Sequence, residues 1–146
     1  MATLARDLMT PNPACCTPRM TLDDVAKLMV HNKCGEIPVV DMTDTPIGVV
    51  TDRDIVCRVI AEGKNPMAYT VESCMSQPAV TVREDTPLDA VLFKMEKHQI
   101  RRVPVVDGRG FCTGIIAQAD VAWFGRQGDV ETLVRQVSLD TGLASR

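Results

Sequence analysis

The chain has 146 residues, 45% of them hydrophobic and 24% charged, with 16 Lys and Arg against 19 Asp and Glu for a formal net charge of −3. That length admits one ordinary domain or two very small ones and excludes a large multidomain enzyme; the acidic balance argues against nucleic-acid binding through global charge, which needs a basic face. No apolar run approaches the roughly 20 residues of a bilayer span, and the start Met1-Ala2-Thr3-Leu4-Ala5-Arg6-Asp7 lacks the charged-then-apolar layout of a secretory signal, so a cytoplasmic protein without membrane contact is expected.

The first helix signal is Thr21, an N-cap candidate, with Asp23 and Asp24 placing negative charge in the first turn where the helix dipole favours it. Leu22, Val25, Ala26 and Met29 follow at the spacing of one buried stripe. Ile37-Pro38-Val39-Val40-Asp41 and Pro46 to Thr51 then read as two short strands joined by a tight turn at Thr43-Asp44, with the early proline marking an edge or a strand start. A second helix opens at Asp52 or Asp54, runs through Ile55, Val56, Val59 and Ile60, and stops at Gly63. Residues 64–73, broken by Asn65-Pro66, read as a linker.

The same order then returns. Thr86 is an N-cap candidate with Pro87 at the first helical position and Asp89 behind it, and Leu88, Val91, Leu92 and Met95 form the stripe. Val103-Pro104-Val105-Val106-Asp107, a turn at Gly108-Arg109-Gly110, the run Cys112 to Ala117 and a helix from Gln118 or Asp120 complete the copy. A shift of 66 residues lays 22–57 on 88–123 without a gap, with Pro38/Pro104, Val39/Val105, Val40/Val106, Asp41/Asp107, Gly48/Gly114 and Asp54/Asp120 identical. Such a period is too long for a solenoid unit, so the chain is a duplicated module. A terminal helix is expected over Asp129 to Ser138 on the spacing of Val130, Leu133, Val134 and Val137. The expected division is 1–63 for the first unit, 64–73 for the linker, 74–126 for the second unit and 127–146 for the helix and tail. A lone half of about 60 residues buries too little surface to stand alone, so the halves are expected to pack together and leave clefts where small molecules bind.

The six cysteines at 15, 16, 34, 57, 74 and 112 form no Cys-x-x-Cys pair and read as reduced thiols. His31 and Cys34 with the Cys15-Cys16 pair fit no standard zinc template, so no metal site is expected. No cysteine stands with a credible histidine, so no catalytic residue is assigned and the chain is not expected to be an enzyme.

Pro38-Val39-Val40-Asp41 followed by Gly48-Val49-Val50-Thr51-Asp52-Arg53-Asp54 resembles the signature of the cystathionine beta-synthase (CBS) domain, and Pro104-Val105-Val106-Asp107 with Gly114-Ile115-Ile116-Ala117-Gln118-Ala119-Asp120 is similar. The likeness spans about residues 4 to 124, as in a tandem CBS pair or Bateman module. It implies an α/β (α+β) fold of two β-α-β-β-α units related by a pseudo-twofold. It also implies a non-catalytic regulatory function, with AMP, ADP, ATP or S-adenosylmethionine in the cleft between units, no required cofactor, a homodimer, and an unidentified downstream protein partner. The alternative is a ligand-free interaction or dimerisation scaffold.

On that pattern Thr51, Asp54 and Asp120 fall on ribose-contacting positions, and an ionised carboxylate, an acceptor-only group, suits a vicinal diol. Helix capping by Asp52 and Asp54 is the competing explanation. Ala117 removes the hydroxyl from the second copy. Arg101 and Arg102, just before the Val103-Pro104 strand, occupy phosphate-contacting positions that the first copy fills with Gly35 and Glu36, and Arg53 is a further phosphate candidate. The resemblance places adenine against Ile37 or Val103 and the extended segments at Cys16 and Val80, where plain core packing competes. Loss of the Asp54 carboxylate is expected to weaken ligand binding and leave the ligand-free chain nearly as stable as before.

Overall fold

A computed structural model describes residues 3–124; the helix expected at 129–138 lies outside the described residues. In chain order the elements are α1 (Ala5–Leu8), β1 (Thr10–Pro11), α2 (Leu22–Asn32), β2 (Glu36–Val40), β3 (Pro46–Thr51), α3 (Asp52–Ile55), β4 (Val82–Arg83), α4 (Leu88–His98), β5 (Arg102–Val106), β6 (Cys112–Ala117) and α5 (Gln118–Phe124). α3 continues through a π turn at Val56–Ile60, and single 3-10 turns stand at Pro66–Ala68 and Val71–Ser73.

The duplication is visible element by element. α2 buries Leu22, Val25 and Met29 and α4 buries Val91, Leu92 and Met95. Ala26 is exposed, and half-buried Leu28 completes the stripe of α2 instead. Both helices end on a residue in the left-handed region, Lys33 and Gln99, each at φ 53°. The second of these helices starts one residue later than Thr86-Pro87 suggests. The Thr86 hydroxyl accepts the Arg83 N–H at 3.0 Å, which leaves Pro87 as the N-cap. The β2–β3 turn is held by Asp41, whose carboxylate accepts the Thr43 hydroxyl at 2.7 Å and the N–H groups of Thr43 and Thr45 at 2.8 and 3.1 Å. Those bonds, the hydroxyl's first, hold the Asp41 carboxyl below its ordinary range. Gly63, at φ 77°, ends the helical run begun by α3 as expected, with its N–H on the Ile60 carbonyl at 3.0 Å.

Two compact units divide the chain at places other than those read from the sequence. Among the described residues, the first holds Asn12–Ala79 with Gly110–Cys112, and the second holds 3–11, Val80–Arg109 and 113–124. Residues 4–11 therefore leave the first copy. The Ala5 N–H bonds the Thr86 carbonyl at 2.8 Å, Thr10 pairs with Ile115, and Ala5 and Leu8 sit in one core with Val91, Leu92, Val103 and Ile116. The expected linker is no free tether either. Val71 is fully buried in the first unit's core, and the Tyr69 carbonyl accepts the Leu22 N–H at 3.1 Å. Each arm thus covers the sheet of the copy it does not belong to by sequence repeat.

The resulting sheets match. The second unit has strand order β1-β6-β5-β4, with β4 parallel to β5. In the first unit β2 and β3 are antiparallel, Ser76 bridges Val49 on one side, and Cys16 runs parallel to Val39 on the other. Gly48 and Gly114 are equivalent for a shared reason: the arm crosses directly over each. A Cβ on Gly48 would lie 2.6 Å from the Ser76 carbonyl oxygen, whereas one on Gly114 would collide with Met9 Sδ. Gly48→Ala should therefore lower stability by about 1–3 kcal/mol, because backbone must give way. Gly114→Ala should lower it less, because an unbranched thioether side chain can swing aside. Urea melts of the two variants check the order.

Candidate functional site

Each copy turns sharply from its last strand into a helix, and the turn carries the chemistry. In the first unit Thr51 is the N-cap of α3: its hydroxyl accepts the Asp54 N–H at 3.0 Å while Asp54 Oδ2 accepts the Thr51 N–H at 3.0 Å. This is a reciprocal capping box. Asp54 is 8% exposed, and the Ser76 hydroxyl donates to its Oδ1 at 3.3 Å. Arg58 Nε stands 3.8 Å from the same oxygen, its guanidinium fixed by the Cys74 and Met75 carbonyls at 3.1 and 3.2 Å.

The capping explanation therefore holds for Asp54, and it does not exhaust the group. A carboxylate has about four acceptor positions. The Thr51 N–H and Ser76 hydroxyl use two, which leaves the number a diol needs. Ser76 and Arg58 were missed from sequence. Arg58 had a readable signal, since it follows Asp54 by one helical turn; Ser76 is 22 residues away and reaches Asp54 only through the exchanged arm.

The second unit rebuilds the turn with one part missing. Asp120 Oδ2 accepts the Ala117 N–H at 2.8 Å, as Asp54 does for Thr51, but Ala117 has no hydroxyl to return. The Gln118 N–H bonds the Arg101 carbonyl at 2.8 Å, the counterpart of the Asp52 N–H on the Gly35 carbonyl at 3.0 Å. A cleft of about 210 Å³ opens here, lined by Arg101, Arg102, Ala117, Gln118 and Ala119. The structure thus brings Arg101 and Arg102 together at the turn that ends in Asp120. Arg53 is exposed on the first turn of α3, in the other unit.

Restoring the missing half of the capping box should help the fold. Ala117→Thr is expected to stabilise the chain by about 0.5–2 kcal/mol, the range measured for N-cap hydroxyls, raising the melting temperature by a few degrees. An unchanged melt would mean that the Thr hydroxyl does not reach the Asp120 N–H.

The four adenine-pocket candidates are placed unequally. Ile37 and Val103 are fully buried and Cys16 is 2% exposed, so their side chains belong to the two cores. The Cys16 backbone is also committed: its N–H donates to the Pro38 carbonyl at 3.0 Å and its carbonyl accepts from Val40 at 2.8 Å. Val80 is half-buried at the edge of the second core. Among the described residues no group of three or more His, Cys, Asp or Glu is placed to hold a metal ion, and no helix is long and apolar enough to cross a membrane.

Two strand-turn-helix copies with a carboxylate at each turn define a duplicated α+β module. Residues 5–60 and 71–124 each match the family model of the CBS domain, and the chain belongs to that family as a tandem pair. It is 31% identical over 143 residues to Hypoxic response protein 1 of Mycobacterium tuberculosis, covering 98% of this chain and 99% of the relative. It spans only 57% of an uncharacterized protein of Methanopyrus kandleri, to which it is 35% identical over 116 residues, 80% of this chain.

A crystal structure of Hypoxic Response Protein I with two coordinated zinc ions superposes at TM-score 0.76 and 33% identity, covering 83% of this chain and 98% of that one. The CBS domain pair of protein MJ0100, in complex with 5′-methylthioadenosine and S-adenosyl-L-methionine, superposes at 0.76 and 29% identity over 85% of this chain and 96% of its own. CBSX2 of Arabidopsis thaliana, in complex with AMP, superposes at 0.71 and 29% identity over 83% and 94%.

Proposed function

We propose that the chain is a non-catalytic regulatory module that binds an adenosine-containing ligand, AMP, ADP, ATP or S-adenosylmethionine, at its strand-to-helix turns. Thr51, Asp54 and Asp120 take the ribose, and Arg101 and Arg102 take phosphate. The observation that carries this reading is the repeated turn, with a carboxylate fixed at each copy and two arginines lining the cleft of one. The adenosyl ligands of the MJ0100 pair and of CBSX2 support the ligand class.

At about 210 Å³ the arginine-lined cleft suits a ribose phosphate better than a whole nucleotide, since pockets for complete small molecules start near 300 Å³. Arg53 is a phosphate contact for the other turn, and Val80 offers the base more open surface than Ile37, Val103 or Cys16. Ligand binding then biases the module's conformation, which a homodimer passes to a protein partner in the cytoplasm.

A thermal-shift panel of AMP, ADP, ATP, S-adenosylmethionine, adenosine and NAD tests the proposal. A ligand that binds only the folded chain raises its melting temperature, by a free energy of about 2.7 kcal/mol at a hundredfold excess over Kd. If no adenosine compound shifts the melt, the ligand-free scaffold stands in its place, the reading favoured by the burial of Asp54.

A further inference from the structure

The second unit holds a larger cavity away from its strand-to-helix turn. It measures about 450 Å³ and lies between β4, the end strand of the four-stranded sheet, and one face of α4. That volume falls in the range of small-molecule sites, roughly 300–1,000 Å³. None of its lining residues belongs to the arginine-lined cleft. The helix contributes Ala90, Phe93, Lys94 and Lys97, at the i, i+3, i+4, i+7 spacing of a single stripe, and buried Val82 of β4 contributes an apolar wall. Phe93 is 67% exposed, in a chain only 3% aromatic.

Lys94 shows that this face is more than a solvated surface. Under the 66-residue shift it replaces Leu28, which packs against the first core, so a position that serves packing in one copy carries charge in the other. Its Nζ donates to the Thr81 carbonyl at 2.6 Å, which fixes the ammonium at the cavity wall and leaves two of its three N–H groups for a ligand. Ala90 likewise stands where the first copy has Asp24, whose carboxylate lies 3.9 Å from Lys27 Nζ. The second copy has dropped that acid. No lining residue is acidic, while Arg83, Lys94, Lys97 and His98 are basic. Among the described residues neither Lys97 nor His98 has a carboxylate within ion-pairing distance. Asp85 offsets Arg83, at 3.6 Å, and Asp89 accepts the Ala90 N–H at 2.9 Å.

We propose that this cleft binds a small aromatic phosphate ester, at a site separate from the nucleotide turns. The ring of the ligand lies against Phe93, with Ala90 and Val82 beside it, where aromatic stacking and apolar burial attract it. Its phosphate sits between Lys94 and Lys97, neighbours at i, i+3 on the helix, and accepts from both ammonium groups. A phosphate ester, close to doubly charged at neutral pH, answers several converging cations better than a carboxylate does. Thr86, whose hydroxyl accepts the Arg83 N–H at 3.0 Å, keeps its own proton for a ligand oxygen. The first copy cannot hold the same ligand, because Lys27, Leu28 and His31 stand where Phe93, Lys94 and Lys97 do here.

An adenine nucleotide is itself an aromatic phosphate, so the probe is 1-naphthyl phosphate, which carries no diol for Asp54 or Asp120. It is titrated into the ¹⁵N-labelled full chain and followed by amide chemical shifts. Saturable shifts are expected at 81–86 and 90–98 with a Kd of about 1 mM or tighter, while 1-naphthol and inorganic phosphate bind about tenfold more weakly or worse. Phe93→Ala and Lys97→Gln, both at exposed positions, should each weaken binding by about fivefold or more with an unchanged melting temperature. Replacing Arg101 and Arg102 by Ala should leave this binding as it was. The proposal is overturned if the shifts centre on 101–102 and 117–120, if inorganic phosphate binds as tightly as naphthyl phosphate, if neither Phe93→Ala nor Lys97→Gln alters Kd, or if no shift saturates below about 10 mM.

Discussion

Asp54→Ala is expected to weaken adenosyl-ligand binding at least tenfold, about 1.4 kcal/mol, and also to destabilise the ligand-free chain by about 1–3 kcal/mol. Read from sequence, the carboxylate stands ready for a ligand and its loss leaves the unliganded fold nearly untouched. Burial corrects that expectation. At 8% exposure, Asp54 accepts the Thr51 N–H at 3.0 Å and the Ser76 hydroxyl at 3.3 Å, and truncation strands both donors in a poorly hydrated corner. Its pairing with Arg58 adds little, since that side chain is 53% exposed and water screens it.

Asp54→Asn separates the two effects. The amide oxygen still accepts the Thr51 N–H and its NH₂ can donate to Ser76 Oγ, so most of the stability should return. The same NH₂ is a donor where a diol needs an acceptor, so affinity should not. Calorimetry for binding and urea unfolding for stability read the two separately. Wild-type affinity in Asp54→Ala would remove the residue from the ligand site.

The parts of the fold legible in the sequence are those governed by short-range chemistry. The Leu22, Val25 and Met29 stripe of α2, the β2–β3 hairpin and the Gly63 stop each rest on contacts within a few residues, and for the stripe and the hairpin the repeat supplied a second copy. The exchange of arms was not legible. Residues 4–10 and 70–76 are equivalent under the repeat, but equivalence does not say whose sheet a segment covers. Gly48 and Gly114 were visible as a repeated pair, while their reason, a backbone and a methionine crossing directly above, depends on that exchange. Thr51 and Asp54 were found as a pair, and the Ala117 gap was read correctly as a missing hydroxyl. The depth at which Asp54 sits was hidden because Ser76 arrives with the arm.

Replacing Arg101 and Arg102 together by Ala should weaken AMP, ADP and ATP by about ten- to a hundredfold, the loss of one or two charged hydrogen bonds, while changing adenosine by less than about threefold. Both guanidinium-bearing residues line the cleft of about 210 Å³ that ends at Ala117–Ala119. The first copy has no equivalent device. Its matching residues are Gly35 and Glu36, and even a Cβ at Gly35 would lie 3.0 Å from Asp52 Oδ2, so an arginine there would have to displace an acid. Phosphate selectivity should therefore reside mainly in the second copy, the first having only the exposed Arg53 on its turn. Lys at both positions keeps the charge and loses the planar fork, so it should recover part of the affinity and little of any preference for bidentate phosphate. Titrations at two salt concentrations sharpen the reading, because the arginine contribution should shrink with ionic strength and the ribose contribution should not. Equal losses for AMP and adenosine in the Ala variant would show that these arginines do not read phosphate.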